Sequence, residues 1–104
     1  MSTVTDIDVV IDEKIKKVSK EPGKYNVIML NDESTPMEWV IGILKEIFRH
    51  SNSDAEALTM KIHNEESAIV GTYKYEVAEQ KALEAVNASR NHGFPLQLKI
   101  EEAE

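Results

Sequence analysis

Two rhythms of hydrophobic and polar positions run along this chain, and the points where one gives way to the other mark its elements. Tyr25-Asn26-Val27-Ile28-Met29-Leu30 is a short, nearly unbroken apolar run that suits a buried strand. Beyond it Met37, Val40, Ile41, Leu44, Ile47 and Phe48 recur at helical spacing. The junction, Asn31-Asp32-Glu33-Ser34-Thr35-Pro36, carries a helix start: Thr35 is placed to cap the orphan amides, Pro36 fits the first helical position, and Glu38 stands three residues after the cap to complete a capping box. His50-Ser51-Asn52-Ser53 reads as a turn. Ser53 with Glu56 repeats the capping-box spacing and opens a second helix, whose stripe is Ala55, Leu58, Thr59 and Ile62 and whose end falls near His63-Asn64. Ala68 to Tyr73 reads as a strand, with Gly71 marking a bulge or a close backbone approach. From Tyr75 to His92 a long helix carries Ala78, Ala82, Ala85 and Val86 on one stripe and closes on Gly93, with Pro95 beyond. Leu96, Leu98 and Ile100 then alternate with Gln97 and Lys99 as a half-buried strand, and Glu101 to Glu104 form a charged tail.

The order β-α-α-β-α-β predicts an α+β fold, a two-layer sandwich of a three-stranded antiparallel sheet and three helices, because the connections are too irregular for repeated βαβ units. Residues 1–23 stand apart. Ile7, Val10, Ile11, Ile15 and Val18 fall at helical spacing beside a Lys14, Lys16, Lys17 cluster, and Lys20-Glu21-Pro22-Gly23 then breaks the chain. Isolated helices this short are marginal in water, so 1–23 is expected to be a flexible N-terminal extension and 24–104 the core domain.

Composition narrows the function classes. At 104 residues the chain is one domain by length, and with one Trp, three Tyr and two Phe its core must be mostly aliphatic. The net charge of −7, from 19 acidic against 12 basic residues, disfavours nucleic acid and anionic membranes as partners and tolerates a cationic one. The absence of cysteine removes disulfides, thiol chemistry and cysteine-ligated metals. No apolar run approaches the ~18 residues of a membrane span and no secretory leader is present, so the expected location is the cytoplasm.

Asp32, Glu33, Ser34 and His63 could be gathered into a hydrolase-like set, but Ser34 adjoins a helix cap rather than a nucleophile elbow, and short polar residues at such corners usually satisfy backbone amides. His50, His63 and His92 form no i, i+4 pair, Asp32-Glu33 lacks the further ligands of an EF-hand, and the four glycines are scattered, so neither a metal, a cofactor nor a phosphate loop is expected. A ligand with a free α-amino group fits better. Such an amine, with a pKa of about 7.7–8.0, is mostly an ammonium with three donors and needs several acceptors when desolvated. Asn31, Asp32, Glu33 and a neutral imidazole at His63 offer them. Met37, Val40, Thr59, Ile62 and Leu96 could wall an apolar cavity beside them, although periodicity alone describes these five equally well as core, and His63 as an ordinary helix-end histidine.

The string YNVIMLNDESTPMEWV from Tyr25 to Val40 closely resembles the signature of the ClpS-type adaptors, which bind destabilising N-terminal residues and deliver their bearers to a Clp protease. Further matches at His63, Gly71, Glu76-Val77-Ala78-Glu79 with Lys81, and Pro95-Leu96, in order and at the family's spacing, extend the resemblance over residues 24 to about 101. It implies the same architecture, which the family shares with the C-terminal domain of the ribosomal stalk protein, and a flexible N-terminal extension that engages the unfoldase. Residue by residue, it implies that Asn31 and His63 hold the α-amino group with Asp32 and Glu33 reinforcing, partly through water. Thr35 would lie near the ligand backbone, Met37 would gate against β-branched side chains, and Val40, Ile62 and Leu96 would form pocket walls. Glu76 and Lys81 would dock on the N-terminal domain of a ClpA- or ClpC-type ATPase. The implied protein is a non-enzymatic monomer that reads N-terminal Leu, Phe, Tyr or Trp. Four positions depart from the pattern: Glu33 replaces an aspartate, Ser34 an aromatic, Trp39 a phenylalanine, and Thr59 stands where a pocket methionine aligns. The alternative function is a stalk-like interaction domain with no small pocket, for which a free α-amino group would not matter.

Overall fold

In the computed structural model, which describes residues 9–11 and 23–103, the elements run β1 (Val9–Ile11), β2 (Tyr25–Leu30), α1 (Met37–Glu46), α2 (Asn52–Glu65), β3 (Ser67–Tyr73), α3 (Tyr75–Asn91) and β4 (Leu98–Glu102). β2 is central and antiparallel to both neighbours: Met29 lies opposite Leu98 on one side and Ala68 on the other. This is the expected α+β arrangement of three helices and an antiparallel β3-β2-β4 sheet. The sheet is widened by β1, which pairs in parallel with β4 through Val9↔Leu98 and Ile11↔Ile100, giving the order β1-β4-β2-β3. The helical spacing read through Val10 and Ile11 is therefore not realised there, because three consecutive β-branched residues, Val9-Val10-Ile11, suit an edge strand equally well. The other residues assigned to the N-terminal extension, 1–8 and 12–22, lie outside the described part of the chain.

One face of the sheet is the core. Tyr25, Val27 and Met29 alternate toward the helices from β2, joined by Leu98 and Ile100 from β4 and Val70 from β3, all essentially inaccessible to solvent. The alanine stripe of α3 behaves as its spacing predicts: Ala78, Ala82, Ala85 and Val86 are each 0% exposed, and their small side chains let the helix lie close on the sheet. α1 contributes Ile43 and Leu44, with Phe48 just beyond its end, so truncating Leu44 to alanine should cost about 2–5 kcal/mol. The one Trp, at 39, is half-buried, and its Nε1 donates to Ser89 Oγ at 2.8 Å; Ser89 in turn donates to the Ala85 carbonyl, so this buried hydroxyl is satisfied twice.

The helix starts differ from expectation. α1 begins at Met37 with Pro36, extended at ψ 145°, as the cap residue, and there is no side-chain capping bond because proline has no polar side-chain atom. The Thr35 hydroxyl donates instead to the Asp32 carboxylate, so the Thr35–Glu38 capping box does not form. α2 starts earlier than expected: Ser51, not Ser53, caps it by accepting from the Asp54 N–H at 3.1 Å. Both Ser51-x-x-Asp54 and Ser53-x-x-Glu56 satisfy the sequence rule, and the earlier one saves an extra half-turn of helix. The bulge reading of Gly71 holds, and the group that comes close to its backbone is a side chain rather than another backbone. The β2–β3 register shifts between Val27 and Ile28, opposite Gly71 and Ile69, and a Cβ on Gly71 would overlap the Tyr73 ring. Burial pushes the Tyr73 hydroxyl above its ordinary range, and burial followed by the Glu79 charge does so for Tyr75, so both rings serve the core as neutral phenols.

Candidate functional site

The corner after β2 is held from both sides. Leu30 N–H donates to the Gln97 carbonyl at 3.0 Å, which fastens the strand end to the segment before β4, and Asn31 N–H donates to the Glu66 carbonyl at 2.8 Å, just past α2. Glu66 adopts a left-handed φ of 75° as it ends that helix, which turns its carbonyl toward the corner. A tight turn follows, closed by the Thr35 N–H on the Asp32 carbonyl at 3.2 Å and reinforced by the Thr35 hydroxyl on the Asp32 carboxylate. Thr35 is therefore buried, and Asp32 is fixed in orientation by a neighbour three residues away.

Beneath this corner lies a cavity of about 310 Å³. Its polar side is Asn31, Asp32, Glu33 and Thr35 from the turn, with His63 from the last turn of α2. Its apolar side is Met37 and Val40 from the first turn of α1, Thr59 and Ile62 from α2, and Leu96 from the segment leading into β4. Helical geometry explains the grouping: Met37 and Val40 are three apart, and Thr59, Ile62 and His63 follow an i, i+3, i+4 pattern, so each helix turns one face to the cavity. All ten residues expected to form a pocket are thus brought together. The cavity also takes in Met29, Leu30 and Pro36, which the sequence reading left to the strand and the helix start. Their position directly beside the polar corner was the available signal. Ser34 is exposed and does not line the cavity, which separates it from the hydrolase-like set.

The two sides differ in what they leave unsatisfied. Apart from Asp32, bound by Thr35, the polar side chains of Asn31, Glu33 and His63 make no hydrogen bond or ion pair to another described residue, so an amide, a carboxylate and an imidazole are available to a ligand. On the apolar side Thr59, 4% exposed, donates its hydroxyl to the Ala55 carbonyl at 2.8 Å within α2. Its donor is spent on the helix, and the wall it adds is apolar and short. Met37, by contrast, is 41% exposed and stands at the cavity mouth. Among the described residues no group of three or more His, Cys, Asp or Glu could hold a metal ion.

Glu76 and Lys81 sit elsewhere, on α3. Glu76 is exposed in its first turn, while Lys81 is half-buried, its Nζ donating to the Ile47 carbonyl at 2.8 Å and lying 5.4 Å from the centre of the Tyr73 ring. Lys81 thus closes the C-terminal end of α1 as well as presenting a charge.

Fold and cavity together describe a small α+β domain with one cavity that is polar at one end and apolar at the other. The family model described as ATP-dependent Clp protease adaptor protein ClpS matches residues 20–99, and the chain belongs to that family of non-catalytic adaptors of the Clp protease. It is 44% identical over 81 residues to the ATP-dependent Clp protease adapter protein ClpS of Treponema denticola, covering 78% of this chain and 80% of that one. Over 98 residues, 94% of this chain and 92% of the relative, it is 39% identical to the adapter of Zymomonas mobilis. The structure of Agrobacterium tumefaciens ClpS2 bound to L-phenylalaninamide superposes with a TM-score of 0.77 at 37% identity, spanning 80% of this chain and all of that one. No helix among the described residues is long and apolar enough to cross a membrane.

Proposed function

We propose that this adaptor binds proteins by a free N-terminal Leu, Phe, Tyr or Trp in the cavity below the β2–α1 corner and delivers them to a Clp unfoldase for degradation. The observation that carries the reading is the pairing, in one 310 Å³ cavity, of side-chain acceptors at one end, of which Asn31, Glu33 and His63 are engaged by no other described residue, with apolar walls at the other. The α-ammonium would sit among the Asn31 amide, the Asp32 and Glu33 carboxylates and the His63 imidazole, its three donors matched and its charge offset. Thr35 would steady the first peptide unit, while Val40, Thr59, Ile62 and Leu96 enclose the side chain and Met37 crowds any branch at its Cβ. L-Phenylalaninamide, the ligand of the Agrobacterium relative, has this chemistry: a free amine, a bulky ring and an amide in place of the next residue. No bond is made or broken in this scheme. Release would follow from handing the bearer to the N-terminal domain of a ClpA- or ClpC-type ATPase, with Glu76 and Lys81 on the docking face, residues 1–23 engaging the unfoldase, and a monomeric adaptor working in the cytoplasm.

Fluorescence anisotropy with peptides that differ only in the first residue tests the reading. A Phe-initiated peptide should bind and its N-acetylated twin should not, because acetylation removes the charge and two of three donors; charged hydrogen bonds lost in a desolvated site are worth roughly 1.5–3 kcal/mol each, about ten- to a hundredfold or more. Equal affinity for the two would reject the adaptor chemistry in favour of a stalk-like interaction domain.

A further inference from the structure

A second cleft, unrelated to the first, runs between α1 and α3. The helices are antiparallel and tied at two points: Trp39 to Ser89 at one end, and the Ile47 carbonyl to Lys81 at the other. Between these ties eight residues of each helix span about 12 Å, and the side chains between them do not fill the gap, leaving a groove of about 400 Å³. Its floor is apolar, formed by Trp39, Gly42, Ile43, Ile47 and Ala88.

Two independent features indicate that the groove is kept open for something outside the fold. Gly42 lies inside α1 at an ordinary negative φ, and a Cβ there would meet nothing within 4 Å. Glycine weakens a helix interior, and neither backbone strain nor a close neighbour calls for it here; what its bare Cα provides is depth. The rim is acidic on both sides, with Glu38 and Glu46 on α1 and Glu84 on α3. All three are exposed, and among the described residues that line the groove none is basic, the Lys81 ammonium being held at its end on the Ile47 carbonyl.

We infer that this groove is a docking site for a partner's amphipathic helix whose apolar ridge is flanked by lysine or arginine. A length of about 12 Å accepts two turns, that is, two or three apolar side chains at i, i+3 or i+4, and i+7. Carboxylates on both banks match cations on both sides of such a ridge, which steers and orients the helix more than it tightens it. An acidic or uniformly polar segment would be repelled by the rim or leave the floor unfilled.

The single Trp makes the groove self-reporting. The probe is a 14-residue helical peptide of Leu and Lys, Leu on one face, without Trp and N-acetylated so that the amine-binding cavity takes no part. Titrated into the full chain, it should shift Trp39 emission to the blue with saturation. Gly42→Leu, which fills the floor, should remove the saturable shift, and Glu38→Gln with Glu46→Gln and Glu84→Gln should weaken it at least tenfold. Both variants should bind a Phe-initiated peptide as the unaltered chain does, which separates failure of this inference from failure of the adaptor reading. Equal response to a scrambled peptide of the same composition, or unchanged binding to Gly42→Leu, would reduce the effect to general charge attraction and overturn the proposal. A concentration-dependent dimer that Gly42→Leu dissolves would overturn it too, by giving the groove to a second copy.

Discussion

The two clefts of this domain are of similar volume and opposite design. Below the β2–α1 corner, polar groups are gathered inside the cavity: Asn31, Glu33 and His63 carry hydrogen-bonding groups that no other described residue engages, and the corner is pinned by backbone bonds from Leu30 and Asn31. Between α1 and α3 the polar groups stay outside, as carboxylates on a rim, and the interior is carbon. An interior lined with acceptors discriminates by what leaving them unpaired would cost, so it suits a small head group read atom by atom. Apolar floor under a charged rim discriminates by shape and by long-range charge, and so suits a larger, less exactly positioned partner. α1 serves both: Met37 and Val40 face one cleft, Trp39, Gly42 and Ile43 the other.

The sharpest way to break the contrast is Asn31→Ala. If the cavity reads an α-ammonium, losing this amide should lower affinity for a Phe-initiated peptide about ten- to a hundredfold, the worth of one or two charged hydrogen bonds, with the melting temperature nearly unchanged because the Asn31 side chain bonds to no other described residue. Isothermal titration with the free and acetylated peptides measures it. A loss that is equal for both peptides would mean that the amide shapes the corner rather than binding the amine.

Next in size is Met37→Ala. Standing exposed at the cavity mouth, the Met37 side chain is expected to exclude ligands branched at Cβ, so its removal should admit Ile- and Val-initiated peptides while weakening Phe somewhat. Competition anisotropy gives both effects at once. Continued exclusion of Ile and Val to the same degree would leave Met37 as wall without a gating role.

How far these features could be read beforehand depends on whether pattern or close geometry makes them. The alanine stripe of α3, the β2 run and the faces Met37/Val40 and Thr59/Ile62/His63 are periodic, and periodicity survives without knowledge of tertiary structure. That they surround a cavity rather than fill a core was not in the periodicity; the resemblance of the NDESTPM stretch supplied it. Capping failed for local reasons, since Thr35 had two possible partners and the Asp32 carboxylate outcompeted the amides. β1 was missed because three β-branched residues inside a helical pattern fit either element. The α1–α3 groove was invisible, for it is made by what Gly42 and Ala88 lack, and its rim reads in sequence as ordinary solvated glutamate.

Thr59→Met sharpens the account of the cavity wall. With its hydroxyl engaged by the Ala55 carbonyl, Thr59 presents little bulk to the ligand, and methionine would extend into the space beside it. Each buried methylene is worth roughly 0.8 kcal/mol, so the Leu-to-Trp affinity ratio should rise by about fourfold as room for the larger ring shrinks. An unchanged ratio with a lowered melting temperature would show instead that the new side chain overpacks the core, at about 1–3 kcal/mol, and that Thr59 does not set selectivity.

The smallest expected effect bears on the other cleft. Gly42→Ala adds one methyl where nothing stands within 4 Å, so it should stabilise the domain by about 0.5–1 kcal/mol through helix propensity alone. At about 4–8 °C per kcal/mol for a domain near this size, a thermal melt can resolve it. Affinity for Phe-initiated peptides should not move, because Gly42 lies away from Met37 and Val40, the part of α1 that lines the amine cavity. A stabilised variant that still binds its N-terminal ligand but responds less to the Leu/Lys probe would mean that the glycine costs the fold stability for the sake of the groove. If Gly42→Ala instead destabilises, then α1 needs the bare backbone for its own packing, and the depth of the groove is a by-product of the fold.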